Sequence, residues 1–189
     1  MKNHVEALTR IIKSRRSVQP SMFNERVIPD EWVNLLLQNA SFAPTHKKTE
    51  PWRFIVFKGD SLKELSDYSS QWYKENTPNY SELKFEKTRM KALLSSHVVA
   101  IVMQRHESEV PEWEEVASVA CAVQNLWLSA TAMGLAGYWS SPGYAVNGQE
   151  FLKLDTNQRC LGLFYLGFAK ADIPEKSYYP DPSNKVEWR

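Results

Sequence analysis

The chain has 189 residues, 43% of them apolar and 12% aromatic, with a formal net charge of +1. That length suits one ordinary domain spanning 1–189, and the apolar content supports a real core and argues against disorder. Acidic and basic residues are interspersed with no basic stripe, which removes the electrostatic footprint of nucleic-acid binding, and the absence of CxxC or HExxH spacing leaves no metal to assign.

Apolar residues at Val5, Leu8, Ile11 and Ile12 fall at helical spacing and predict a helix ending near Ser14. Met1 to Glu6 carries no signal-peptide apolar run, and Cys121 and Cys160 both sit in apolar segments. They read as buried thiols of a reduced compartment, so a cytoplasmic protein is expected. Pro29-Asp30 starts a second helix running to about Ser41, and Ala43-Pro44-Thr45-His46 ends it as a polar loop. Arg53–Phe57 reads as a strand closed by Lys58-Gly59-Asp60, and Leu62 to about Ser95 as mostly helical, broken near Pro78. His97–Met103 is β-branched and apolar on both faces, which predicts a central strand.

Val116–Ala136 is the longest apolar run. It approaches the roughly 20 residues a membrane span needs. Gln124 and Asn125 at its middle, and three glutamates before it, point instead to a helix buried nearly all round, in the core or in a dimer interface. Gly137–Trp139 follows as a short strand or turn, Phe151-Leu152 as a short helix, and Cys160–Phe168 as a third strand. The Pro-rich tail carries Tyr178, Tyr179 and Trp188 and reads as a segment that wraps over a surface. Helices dominate over strands, giving an α+β or three-layer α/β/α domain.

Three segments carry candidate chemistry. Arg15-Arg16-Ser17 offers two guanidinium forks and a hydroxyl suited to a phosphate, while the same cations at a helix C-terminus complement its dipole. Ala43–Phe54 is a donor-rich loop running into a strand, with His46 its only histidine. Gly134–Gly143 sets small residues before Tyr138, Trp139, Ser140 and Ser141, letting backbone approach a flat ligand or simply capping a helix.

In this order the segments resemble the nitroreductase family of FMN-dependent reductases, in its compact branch with a His-Lys pair after Ala-Pro. The resemblance rests on Arg15-Arg16-Ser17, Ala43-Pro44-x-His46-Lys47, Pro51-Trp52-x-Phe54 and Val110-Pro111-x-Trp113-Glu114. It continues through Cys121-Ala122-Val123, the Gly137–Ser141 element, Leu166-Gly167-Phe168 and Pro180-Asp181-Pro182, almost the whole chain. It implies a nitroreductase-like fold, with a central, mostly antiparallel sheet flanked by helices, in a homodimer built on the helix from Val116. It further implies that Arg15, Arg16 and Ser17 hold the FMN phosphate. Pro44 and His46 would approach the flavin from the neighbouring subunit's side, and Trp139, Ser140 and Ser141 would form the second flavin contact.

The activity implied is ping-pong reduction of a small-molecule acceptor, a nitro compound or quinone, by NADH or NADPH. No GxGxxG follows a strand, so the nicotinamide has no Rossmann site of its own. His46, Lys47 and Lys91 are the candidates for stabilising negative charge on the reduced ring. No catalytic acid–base dyad is assigned. The chain departs from the family pattern at Phe42, Glu50 and Ser140. These departures keep a second reading open, a flavin-binding module that stores or senses FMN without turnover.

Overall fold

The computed structural model describes residues 2–174 and 180–189. Helix α1 (Lys2–Ser14) leads into an extended segment and a 3₁₀ turn at Pro20–Met22. Helix α2 (Asp30–Ala40) starts after Pro29, with Asp30 and Glu31 at its positive end. A second 3₁₀ turn, His46–Lys48, precedes strand β1 (Trp52–Phe57). Helices α3 (Asp60–Asn76) and α4 (Glu82–Leu93) flank the expected break at Pro78, and strand β2 (His97–Gln104) follows. Then come helix α5 (Glu112–Ala132), strand β3 (Ala136–Ser140), the single turn α6 (Gly143–Val146) and strand β4 (Gln158–Gly167).

The four strands form one antiparallel sheet in the order β1-β2-β4-β3. Strand β2 is central, as its two apolar faces predict, and alternate residues feed two cores. Val99, Ile101 and Met103 pack with Leu36 of α2 and Leu126 of α5. Val98 and Ala100 pack with Leu65 of α3, Ala92 of α4 and Tyr144 of α6. The architecture is therefore α2/α5, sheet, α3/α4/α6, the α+β three-layer class expected. The register shifts between Ile101 and Val102, so Leu161 is an extra residue in β4. The next residue, Gly162, adopts φ +136°, a conformation that side chains resist.

Several local expectations need correction. Helix α5 begins at Glu112 and stops short of Ala136. Gly134 takes φ +72° and the Leu135 N–H returns 2.9 Å to the Ala130 carbonyl, a left-handed stop that frees Ala136 to open β3. The core takes only one side of α5. Within one chain Val119, Ala122, Val123 and Leu126 face the core, whereas Trp113, Val116 and Cys121 are exposed, so burial on that side falls to the dimer-interface alternative. Cys160 is buried, and burial pushes its thiol up to about 11. Phe151 and Leu152 lie in hydrogen-bonded turns, and the short helix of that region is α6. Among the described residues, no helix is long and apolar enough to cross a membrane. Tyr178 and Tyr179 lie outside the described residues, and Trp188 is exposed.

Candidate functional site

The chain leaves α1 in extended form and meets the outer edge of the sheet. Ser17 forms a parallel bridge with Gly137, and the Val18 N–H donates 2.9 Å to the Gly137 carbonyl. Gly137 is a glycine because a Cβ there would sit 2.7 Å from the Phe164 ring and 3.1 Å from the Trp127 indole nitrogen. The backbone is thus pressed onto Trp127 of α5. The Arg15 guanidinium lies over that same indole, 4.4 Å from the ring centre.

The two arginines do different things. Arg16 turns back and donates 2.7 Å to the Lys13 carbonyl and 3.0 Å to the Arg15 carbonyl, capping the α1 C-terminus. Arg15 keeps a buried Nη1 with no hydrogen-bond partner. Burial, and Arg16 beside it, hold its pKa below the usual arginine value. A cavity of about 480 Å³ runs along α1, lined by Glu6, Arg10, Lys13, Ser14, Arg16 and Ile173.

Strand β3 carries the second element. Trp139 is half-buried against the α5 core, and Ser140 pairs with Leu163 at the strand's end. Gly162 makes this possible, since a Cβ there would lie 2.5 Å from the Ser140 carbonyl oxygen and 2.8 Å from the Trp139 indole nitrogen. Ser141 is exposed in the turn before Pro142. From α4, the half-buried Lys91 ammonium faces the Tyr138 ring, 6.0 Å from its centre, and burial lowers its pKa. It pairs with no carboxylate among the described residues.

The Pro44–His46 loop lies elsewhere. His46 Nδ1 contacts a Glu114 carboxylate oxygen at 2.5 Å, and Lys47 Nζ donates 2.8 Å to the Glu109 carbonyl. Lys47, Lys48 and Glu50 all adopt positive φ, 49°, 56° and 42°, uncommon for non-glycine residues. Glu114 opens α5 and Trp127 lies thirteen residues further along it, which is about 20 Å at 1.5 Å per residue. Within one chain, then, Arg15, Arg16, Ser17 and the Trp139–Ser141 strand end are brought together, and Pro44 and His46 are not.

Sequence reasoning missed a buried cluster below that loop. Glu115 accepts the backbone N–H of His106 at 3.0 Å, meets His106 Nδ1 at 2.7 Å, and pairs with Arg105. An Arg directly after an apolar strand and a Glu directly before the apolar run from Val116 were the available signals. A further cavity, about 770 Å³, opens beside Asp30, Lys58, Ser96 and His97. There Ile28 N–H donates to Ser96 Oγ at 2.7 Å, Ser96 reaches His97 Nδ1 at 2.9 Å, and His97 Nε2 reaches Asp30 at 3.3 Å. A neutral ring protonated on Nε2 satisfies every member of that chain.

Comparison with known proteins agrees with this architecture. The Nitroreductase family model matches residues 12–168. The provisionally named NAD(P)H nitroreductase YfhC of Bacillus subtilis (strain 168) is 27% identical over 182 residues, covering 95% of this chain and 87% of that protein. The crystal structure of a nitroreductase-like family protein from Bacillus cereus is similar with a TM-score of 0.80 at 25% identity, covering 96% of this chain and 95% of that one. The FMN-dependent nitroreductase NfnB from Mycobacterium smegmatis, solved in complex with NADPH, shares the fold with a TM-score of 0.78 at 18% identity, covering 98% and 99%. With the matched region running from the end of α1 through β4, the chain belongs to the nitroreductase family.

Proposed function

We propose that this chain, one domain from 1 to 189, is an FMN-dependent NAD(P)H oxidoreductase that reduces nitro compounds, quinones or related acceptors as a homodimer. The observation that carries the reading is the Arg15 corner. A buried donor left unmade costs about 1–3 kcal/mol, and Arg15 Nη1 is such a donor, next in sequence to Arg16, which lines the cavity along α1. A phosphate supplies the acceptor it lacks and the anion that a half-buried guanidinium requires. The residues present therefore fit FMN: Arg15, Arg16 and Ser17 for the phosphate, and Trp139, Ser140 and Ser141 beside the ring.

When bound, FMN would supply a hydride acceptor for NADH or NADPH and a reductant for the second substrate. The chain contributes binding, orientation and charge. Lys91, on the Tyr138 face of β3, is the candidate cation nearest that strand for stabilising negative charge on the ring, since Lys47 is tied to Glu109 at the far end of α5. An anion beside it would oppose the lowering that burial causes. Pro44 and His46 belong to the site only if a second copy brings its loop to the first copy's β3. Two exposed apolar surfaces support such a copy: Val5, Leu8 and Ile12 along α1, and Trp113 with Val116 on α5.

The test is direct. Purified protein should release one FMN per subunit on heating and scatter light as a particle of twice the 21.8 kDa subunit mass. Apoprotein that cannot be reconstituted with FMN, or a monomer at micromolar concentration, contradicts the reading.

A further inference from the structure

Glu114 has no part in the chemistry described above, yet its carboxylate meets the His46 imidazole. The two groups meet at 2.5 Å, with the Glu114 side chain 22% exposed and His46 58% exposed. We infer that Glu114 is a positioning residue: it grips the His46 imidazole through Nδ1 and commits Nε2 to the ligand the loop meets. The inference rests on the reading of His46 as a residue that faces FMN across the subunit interface.

The support under Glu114 is rigid. It stands in the first turn of a 21-residue helix, where the helix dipole favours a carboxylate. Its neighbour Glu115 turns inward to Arg105 and His106 and anchors that turn to the end of β2. The loop carrying His46 is tied as well. Thr45 and Thr49 hydroxyls meet at 3.0 Å, the Glu50 N–H donates 3.2 Å to Thr45 Oγ1, and Arg53 donates 2.8 Å to the Glu50 carbonyl. Three non-glycine residues with positive φ persist only where such ties over-determine the backbone.

The chemistry follows from what each atom can do. An ionised carboxylate only accepts, so Nδ1 carries the hydrogen and the neutral ring presents a lone pair at Nε2. A ring without that carboxylate is free to choose its tautomer and its angle.

A double-mutant cycle tests this, using FMN titration of the apo dimer and imidazole ¹⁵N spectra of the FMN-loaded protein. His46→Ala and Glu114→Ala should each weaken FMN on the order of tenfold, the size of one charge-assisted contact. The double variant should lose no more than either single one. Glu114→Gln, which keeps an acceptor, should retain the Nδ1–H tautomer of His46, and Glu114→Ala should release it. If His46→Ala loosens FMN while Glu114→Ala neither loosens it nor alters the tautomer, the inference is overturned and the reading of the site stands. If the two losses add, Glu114 acts independently of His46 and the inference is again overturned. If His46→Ala binds FMN like the parent, the placement of His46 at the flavin fails, and the inference with it.

Discussion

Replacing Arg15 by Met separates binding from folding, because the two consequences have opposite signs. In the apo chain Arg15 contributes a cation–π contact with Trp127 at 4.4 Å, and such a contact is worth about 0.5–1 kcal/mol at an exposed site. Against this stands a buried Nη1 with no acceptor, a deficit of about 1–3 kcal/mol. Methionine keeps most of the apolar stem over the indole and removes the orphan donor. The apo protein should therefore melt no lower than the parent and as much as several degrees higher, at about 2–4 °C per kcal/mol for a chain of this size. FMN binding should move the other way. Loss of one charge-assisted bond to phosphate, about 1.5–3 kcal/mol, weakens affinity roughly tenfold to a hundredfold. Differential scanning fluorimetry of apoprotein, paired with FMN fluorescence titration, reads both. An Arg15→Met protein that melts well below the parent while binding FMN unchanged would show that this guanidinium is a structural group and that the phosphate assignment is wrong.

Four other outcomes follow from the same geometry. Gly137→Ala drives a methyl against Phe164 and Trp127 and should destabilise by about 1–3 kcal/mol in urea melts, with loss of the Ser17 bridge showing as weaker FMN binding. Glu115→Gln strands Arg105, buried beside it, and should cost about 3–5 kcal/mol, with Arg105→Met/Glu115→Leu recovering much of it. Burial lowers the pKa of His97 below its ordinary 6.5 although Asp30 opposes the shift, so the unfolded chain takes up this proton first. Stability should fall as pH drops through and below 6.5, and His97→Gln should flatten that slope; an unchanged slope assigns the acid sensitivity to other groups. Steady-state kinetics should give parallel double-reciprocal lines for NAD(P)H and acceptor, and intersecting lines would require a ternary complex.

Legibility divided along physical lines. Strand β2 was readable because a run apolar on both faces has only one stable location, the middle of a covered sheet. The α3–α4 break was readable because Pro78 cannot continue a helix. The exposed face of α5 was not, since the same apolar run serves a core or a second subunit, and periodicity does not distinguish them. That ambiguity hid the exposure of Cys121. The helix stop at Gly134 was lost among apolar neighbours, so Ala136 read as helix rather than as the start of β3. At the site, Arg15-Arg16 admitted both a phosphate reading and a helix-dipole reading, and the structure gives Arg16 the helix end and leaves Arg15 Nη1 without a hydrogen-bond partner. The pairing of His46 with Glu114 spans 68 positions, and the Arg105–Glu115 pair joins the two ends of a loop. Neither has a local sequence signature.

The most direct test of NAD(P)H-dependent turnover is an anaerobic titration of the FMN-loaded protein with NADH and with NADPH, followed by addition of a nitroarene or a quinone after the donor is exhausted. At least one nucleotide should bleach the flavin absorbance stoichiometrically, and the acceptor alone should restore it. A flavin that neither nucleotide bleaches would contradict an NAD(P)H-dependent reductase and leave a flavin-binding module in its place.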